Sequence, residues 1–279
     1  MLLLLDIGNT HTHLGLANSR RVVSQTDLPT AAWFTGALAA PIRQFVGRAR
    51  LKGAALCSVV PRATPLARQT VRRLWHLPCL QLTPATLRGL TPGAPNSVSA
   101  RRKGVSSRRN GVRRFTQGVG LGIDYPHPET IGPDRLANAL AARHRFGAPV
   151  VVVDFGTAVT FDVVDRAGNY VGGIIAPGLA AMTDYLHEKT ALLPRIKIRE
   201  IQGPIGKTTE QAMLVGAVHG YRGLICELIL ELKRELNTRR LPVVATGGYS
   251  RLIASKLPEI TAVDPLLTLE GLRLLWQAA

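Results

Sequence analysis

The chain has 279 residues, 46% of them hydrophobic, enough to bury a sizeable core in one large α/β domain or two lobes of ordinary size. That composition excludes disorder throughout. Its three cysteines, Cys57, Cys79 and Cys226, show no CxxC or Cys/His clustering, which argues against a disulfide framework or a zinc site and fits a reducing cytoplasm. The net charge of +17 is unevenly placed. Sixteen Lys/Arg and no acidic residue lie between Asp27 and Asp124, so the rest of the chain is nearly neutral. The densest part, Arg101-Arg102-Lys103, Arg108-Arg109 and Arg113-Arg114, is set among Ser, Gly, Asn and Val and reads as a flexible basic insertion at about Gly93–Gly120. Phe115 is the one aromatic near these cations. A specific nucleic-acid site is therefore disfavoured, while nonspecific attraction to polyanions is expected.

In chain order, Met1–Leu5 looks like the start of a signal peptide, but it lacks a basic n-region and Asp6 interrupts it. No apolar run approaches the roughly 20 residues that a membrane helix needs, so a soluble cytoplasmic protein is expected. Leu2–Ile7, ending in Asp6-Ile7-Gly8-Asn9-Thr10, leads into the alternating run His13–Ala17, the turn Asn18-Ser19 and the run Arg21–Ser24. This predicts strand, turn, strand, turn, strand. Helices are expected over Thr30–Val46 and Thr64–Trp75, with a strand at Ala54–Val60 between them. Pro133 opens a predicted helix to Phe146. The opening pattern then recurs: Pro149–Val153 ends in Asp154-Phe155-Gly156-Thr157, followed by Val159–Val164, the turn Asp165–Asn169 and the run Tyr170–Ile175. Two copies of strand–DxG[NT]–hairpin imply two lobes of related fold. Apolar residues at helical spacing mark Thr208–Leu236, and Pro242–Ala245 is a strand running into Thr246-Gly247-Gly248 and a further helix. Strands and helices in this order make an α/β protein with partly antiparallel sheets.

An aspartate at a strand end followed by Gly and Asn or Thr suits a phosphate-handling turn: the backbone N–H groups donate, and the carboxylate holds a cation. Asn9, Thr10 and Thr157 add uncharged donors. Gly206-Lys207-Thr208 resembles the end of a P-loop, but Ile201 stands where that motif requires its first glycine, so it is not one. In Gly132-Pro133-Asp134-Arg135 an Asp-Arg pair enters the first turn of a helix. There Arg135 can grip a carboxylate and Asp134 can take a proton from an attacking hydroxyl. Helix capping by Asp134 beside a solvated Arg135 is the plainer alternative.

Asp6-Ile7-Gly8-Asn9-Thr10-His11, Gly132-Pro133-Asp134-Arg135-Leu136-Ala137-Asn138, Asp154-Phe155-Gly156-Thr157-Ala158-Val159-Thr160 and Gly172–Gly178 occur in that order. Leu193-Pro194, Ile205–Glu210 and Thr246-Gly247-Gly248 complete the set. Together they resemble type III pantothenate kinase, a branch of the acetate and sugar kinase/Hsc70/actin superfamily. The resemblance implies a duplicated α/β fold of two actin-like (ribonuclease H-like) lobes with mixed sheets and ATP in the cleft. The lobes would span 1–123, including the basic insertion, and 124–279. It implies phosphorylation of pantothenate to 4′-phosphopantothenate, the first step of coenzyme A biosynthesis, using ATP with Mg²⁺ and a monovalent cation, K⁺ or NH₄⁺. Asp134 would be the catalytic base. Asp6, Ile7, Gly8, Asn9, Thr10, His11, Thr12 and His13 would form the first phosphate loop, and Thr157 would also contact ATP. Tyr125, Gly132, Pro133, Asp134 and Arg135 would hold pantothenate, with Thr209 reaching it from the other protomer of a homodimer. Asp154 would bind the monovalent cation. The sequence departs from the family at Pro133, where a small residue is usual, and at the basic insertion. The competing reading is a nucleic-acid-binding or regulatory accessory protein on the same fold.

Overall fold

The structure, a computed structural model, describes residues 1–88 and 120–279; the basic insertion expected at Gly93–Gly120 lies outside them apart from Gly120. The first sheet contains β1 (Leu2–Ile7), β2 (His11–Ala17), β3 (Val22–Pro29), β4 (Gly53–Ser58) and β5 (Cys79–Gln81), with α1 (Ala39–Val46), α2 (Ala63–Trp75) and α3 (Pro84–Arg88) around it. The second contains β6 (Gly122–Ile123), β7 (Val150–Phe155), β8 (Ala158–Val164), β9 (Asn169–Pro177), β10 (Val243–Thr246) and β11 (Ala262–Val263). Its helices are α4 (Pro133–Phe146), α5 (Leu179–Lys189), α6 (Thr209–Val215), α7 (Tyr221–Glu235), α8 (Ser250–Ala254) and α9 (Leu267–Ala278).

The internal repeat is a repeat of topology. The first sheet runs β3-β2-β1-β4-β5, and the second runs β9-β8-β7-β10-β11 with β6 added outside β9. The senses match pair by pair: β1 is antiparallel to β2 and parallel to β4, as β7 is antiparallel to β8 and parallel to β10. Even the bulges correspond, at Leu16/Ala17 in one sheet and Val163/Val164 in the other. Gly122–Ile123, which the sequence reading counts with the first lobe, hydrogen-bonds to β9 in the second sheet.

The uninterrupted Leu2–Leu5 run exists because β1 is a central strand buried on both faces. Leu3 and Leu5 point into a core under α1 and α2, while Leu2 and Leu4 face a core shared with α4 and α9. That shared core takes Ala55 from the first sheet and Val150, Val152 and Val244 from the second, so α4 and α9 form a common layer between the two sheets. Helix α9 ends the chain but reaches back to the first sheet's edge, where Glu270 accepts a hydrogen bond from the Val22 N–H at 2.6 Å. A third core, on the far face of the second sheet, is built with α5, α7 and α8. Leu5 is fully buried, and Leu5→Ala is expected to lower unfolding free energy by about 2–5 kcal/mol, read as a shift of the urea midpoint.

Two expectations are corrected. Thr30–Val46 is not one helix: a 3-10 turn at Thr30–Trp33 is followed by α1 only at Ala39, and the break contains Gly36 at φ +72°. The helix expected over Thr208–Leu236 is continuous in direction, but a π-helical turn at Gly216–Gly220 separates α6 from α7. The Thr209–Glu235 span is long enough to cross a membrane and contains an 18-residue stretch of mean hydropathy 1.4, apolar enough by composition to do so. Ala217, Tyr221, Ile225 and Ile229 build it into the third core, the use a folded protein makes of such a helix.

Candidate active site

The two Asp-x-Gly turns close the β1–β2 and β7–β8 hairpins, and the duplication brings them face to face. Gly8 N–H donates to His11 O at 3.0 Å, and Gly156 N–H donates to Ala158 O at 3.1 Å. Across the gap Thr10 Oγ1 lies 3.4 Å from Thr157 Oγ1. The end of β3 braces the first turn, where Thr30 Oγ1 donates to Gly8 O at 2.7 Å. A cleft of about 370 Å³ lies here, lined by Asp6, His13, Asp27, Asp154, Gly156 and the Thr246-Gly247-Gly248 turn, among others.

Strand register decides which loop side chains reach the cleft. Asp6 pairs with His13, His13 with Asp27, and Asp6 with Cys57, so all four share one face of the first sheet. His13 Nδ1 is 2.7 Å from Asp27 Oδ1, and Cys57 Sγ donates to Asp6 Oδ1 at 3.3 Å. Ile7 and Thr12 point the other way. Ile7 is in the first core, and Thr12, fully buried, accepts from Trp33 Nε1 at 3.0 Å and pairs with Thr30 Oγ1 at 3.1 Å. These two were expected among the ATP contacts; strand alternation leaves them only their backbone groups for that purpose. Asn9, Thr10 and His11 are exposed on the turn.

Three carboxyl groups lie close together here, Asp6 and Asp154 lining the cleft and Asp134 near enough to repel both. Burial pushes Asp6 up to about 7, with Asp134 and Asp154 adding repulsion against the opposing pull of His13. Burial likewise raises Asp154 to about 6, opposed by its hydrogen bond from Asn138. Asp134 is also raised by burial, against the N–H and charge of Arg135. For His13 burial is the largest influence and opposes the charged form, but Asp6 and the Asp27 hydrogen bond outweigh it and the net shift is upward. Such a cluster of mutually repelling, desolvated carboxylates favours a cation. Among the described residues no group of three or more His, Cys, Asp or Glu side chains could hold a metal. A divalent ion here would therefore take most of its ligands from phosphate oxygens. Asp154 is presented from both sides: Asn138 Nδ2 donates to its Oδ2 at 2.9 Å, and a Cβ on Gly247, whose φ is +85°, would lie 2.5 Å from its Oδ1. Only glycine at 247 leaves Oδ1 that room without backbone strain.

Asp134 and Arg135 enter at the start of α4, with Pro133 in the first turn as a proline prefers. Asp134 Oδ1 accepts from the Arg135 backbone N–H at 2.9 Å, occupying one free donor of the first turn, but the N-cap is Gly132 and Asp134 is not the capping residue. Arg135 is not solvated. Its Nε donates to Asp162 Oδ1 at 2.6 Å, its Nη2 donates to Phe161 O at 2.9 Å, and its guanidinium carbon lies 5.9 Å from the Tyr170 ring centroid. Tyr125 packs edge-on against Tyr170 at 6.2 Å between centroids. Asp162 and Asn138 were not singled out from the sequence. The available signal was a carboxylate embedded in the strand run Val159–Val164, and an amide on the apolar face of α4 one turn beyond Asp134.

Thr209 stands apart. It lines a separate, apolar groove of about 500 Å³ with Met182, Leu186, Leu193, Met213 and others, and Asp6, Asp134 and Asp154 are not among that groove's residues. Thr208, in the segment resembling a P-loop, caps α6 by accepting from Gln211 N–H at 3.2 Å.

The type III pantothenate kinase family model matches residues 2–99 and 95–231. A type III pantothenate kinase of Methylacidiphilum infernorum is 54% identical over 158 residues, 56% of this chain and 58% of the relative. The chain thus spans little more than half of that relative. It spans 97% of one from Listeria welshimeri, at 32% identity over 99% of this chain. Among solved structures, a protein of Campylobacter jejuni described as a Baf family transcriptional activator superposes with TM-score 0.54 at 17% identity, covering 99% of this chain and 97% of that one. One from Listeria monocytogenes described as an N-acetylmannosamine kinase gives TM-score 0.50 at 10% identity, covering 99% and 97%. At those identities the two structures speak to fold alone, a duplicated α/β fold with two mixed sheets. With most of the chain matched by the family model and a full-length relative above 30% identity, the chain belongs to the type III pantothenate kinase family.

Proposed function

We propose that this protein phosphorylates pantothenate with ATP, taking the first step of coenzyme A biosynthesis. The observation that carries the reading is the convergence of Asp6, Asp134 and Asp154 under two opposed glycine turns whose Thr10 and Thr157 hydroxyls lie 3.4 Å apart. Phosphoryl transfer needs little covalent help from the protein; it needs phosphates held in line, charge balanced and a base at the hydroxyl. Asp6–His13 and Thr157 would supply donors to the phosphates. Mg²⁺ carried with ATP would offset the carboxylate charge at Asp6 and draw charge off the transferred group. Asp154 would hold K⁺ or NH₄⁺. Asp134 takes the proton as the pantothenate hydroxyl oxygen bonds to the γ-phosphorus; the bond to the bridging oxygen breaks and ADP departs. Tyr125, Gly132, Pro133 and Arg135 position the acceptor, with Arg135 facing its carboxylate.

Thr209 completes the site only if it comes from a second copy, which fits its place in an exposed apolar groove away from Asp134 and makes a homodimer part of the proposal. A cytoplasmic location and a lobe boundary near residue 123 belong to the same reading. Nonspecific polyanion binding would reside in the basic insertion. The test is ADP release with pantothenate, ATP and Mg²⁺ in K⁺, NH₄⁺ or Na⁺. Pantothenate-dependent turnover that is much faster in K⁺ or NH₄⁺ is expected. Equal rates in all three would remove the monovalent cation from Asp154.

A further inference from the structure

The acceptor end of the site contains a buried carboxylate for which the proposed reaction has no use. Asp162 is fully buried in the middle of β8, and its Oδ2 makes no hydrogen bond among the described residues. Its Oδ1 is held by two groups, Arg135 Nε at 2.6 Å and the Tyr170 hydroxyl at 3.3 Å. A buried charge pair is a weak source of stability, since desolvation offsets most of the attraction. Its geometry is informative instead. A guanidinium has five N–H donors in a rigid fork. Asp162 takes the Nε donor and Phe161 O takes one from Nη2, so the side-on edge of Arg135 is spent on β8. Among the described residues the end-on edge, one N–H from each Nη, is left as a matched pair for a planar anion.

Strand β9 is cut away to allow this seating. A Cβ on Gly173 would lie 1.6 Å from Phe161 O and 2.8 Å from Arg135 Nη2, so the β8 backbone itself demands glycine there, and that glycine also leaves the guanidinium room. Tyr170 covers it from one side, and Tyr125 packs on Tyr170.

We propose that Asp162 is a positioning residue for the acceptor, fixing the side-on edge of Arg135 so that its end-on edge meets a carboxylate. It thereby sets the protein's preference for a carboxylate-bearing acceptor over a neutral one of the same shape. This rests on the reading that pantothenate is the acceptor. What matters on this account is an oxygen acceptor at the Oδ1 position rather than negative charge. Asp162→Asn keeps the acceptor and loses the charge; Asp162→Glu keeps the charge and displaces the guanidinium by a methylene.

The experiment compares pantothenate with its neutral alcohol analogue, in which CH₂OH replaces the carboxylate. It measures kcat/KM for each and KM for ATP, in wild type and both variants. Wild type is expected to prefer pantothenate by about 100-fold, the scale of losing a charge-assisted hydrogen bond, since the alcohol oxygen can meet only one of the two end-on donors. Asp162→Asn should keep that ratio within about threefold and Asp162→Glu should cut it at least tenfold, with KM for ATP within about threefold in both. Asp162→Ser, too short to reach Nε, replaces the glutamate variant should the latter not fold, and is expected to cut the ratio likewise. Parallel loss of both acceptors with an unchanged ratio would mean a merely structural role and overturn the proposal. A ratio lost in Asn but kept in Glu would overturn it too, assigning the effect to charge. Wild type that turns over neither acceptor would instead overturn the pantothenate reading on which it rests, whereas a wild type active on pantothenate leaves that reading intact whatever the variants do.

Discussion

Asp134→Asn is expected to lower kcat by about 10²–10⁴-fold while leaving KM for ATP within a few-fold, because it removes the proposed base and little else. That corresponds to about 3–5 kcal/mol of transition-state stabilisation. The amide is isosteric, and its oxygen can still accept from the Arg135 N–H, so the helix start survives. The pH dependence gives a second signature. Burial holds the Asp134 carboxyl above its ordinary value of 3.8, and only the deprotonated form can take a proton. Wild-type kcat therefore rises with pH through that raised value and levels off above it. The variant's residual rate should lack this acid limb, which steady-state kinetics over a pH series would show.

Arg135→Ala is expected to act on both binding and folding. It removes the proposed grip on the acceptor, so KM for pantothenate should rise by at least about 100-fold, the scale of losing a charge-assisted bidentate contact. It also strands Asp162, whose partners would be reduced to the Tyr170 hydroxyl. Removing one member of a buried pair costs about 3–5 kcal/mol when the remaining charge persists. Here protonation limits that cost. Burial already pushes Asp162 up to about 7 despite Arg135, against 3.8 for an ordinary aspartate. A carboxyl raised in the folded state keeps its proton there at pH values where the unfolded chain has lost it. The associated stability is complete below 3.8 and is lost as pH rises toward the folded value. Without Arg135 the folded value climbs further and the window of loss extends upward. The melting temperature of Arg135→Ala should therefore fall further below wild type at pH 8 than at pH 6. An equal deficit at both would mean that Asp162 does not titrate as its burial implies.

Local patterns foretold much of this architecture for identifiable reasons. The two Asp-x-Gly hairpins were legible because apolar alternation, a terminal aspartate and glycine recur at equivalent places, and the strand orders 3-2-1-4-5 and 9-8-7-10-11 are what that repeat becomes. Helix α4 was legible to its ends, since Pro133 fits a first turn and Gly147 ends it. The features that escaped depend on contacts across sequence distance. Nothing near Asp162 announces that Arg135, 27 residues earlier, will lie 2.6 Å away. Nothing near Asn138 announces its hydrogen bond to Asp154. The π-turn at Gly216–Gly220 leaves the apolar spacing of its helix nearly unchanged, so periodicity passes over it. Thr12 was counted with its neighbours in the phosphate loop, although its pairing with Ile7 turns it toward the core. At the site, residue types were readable where a motif named them, and orientation was not.

The most direct measurement of the central claim is mass-spectrometric detection of product after incubating the full chain with pantothenate, ATP, Mg²⁺ and K⁺, beside Asp134→Asn. The account predicts 4′-phosphopantothenate formed in step with ADP by the wild type and reduced by at least about 100-fold in the variant. ADP formed without phosphopantothenate, or product formed equally by both proteins, would contradict it.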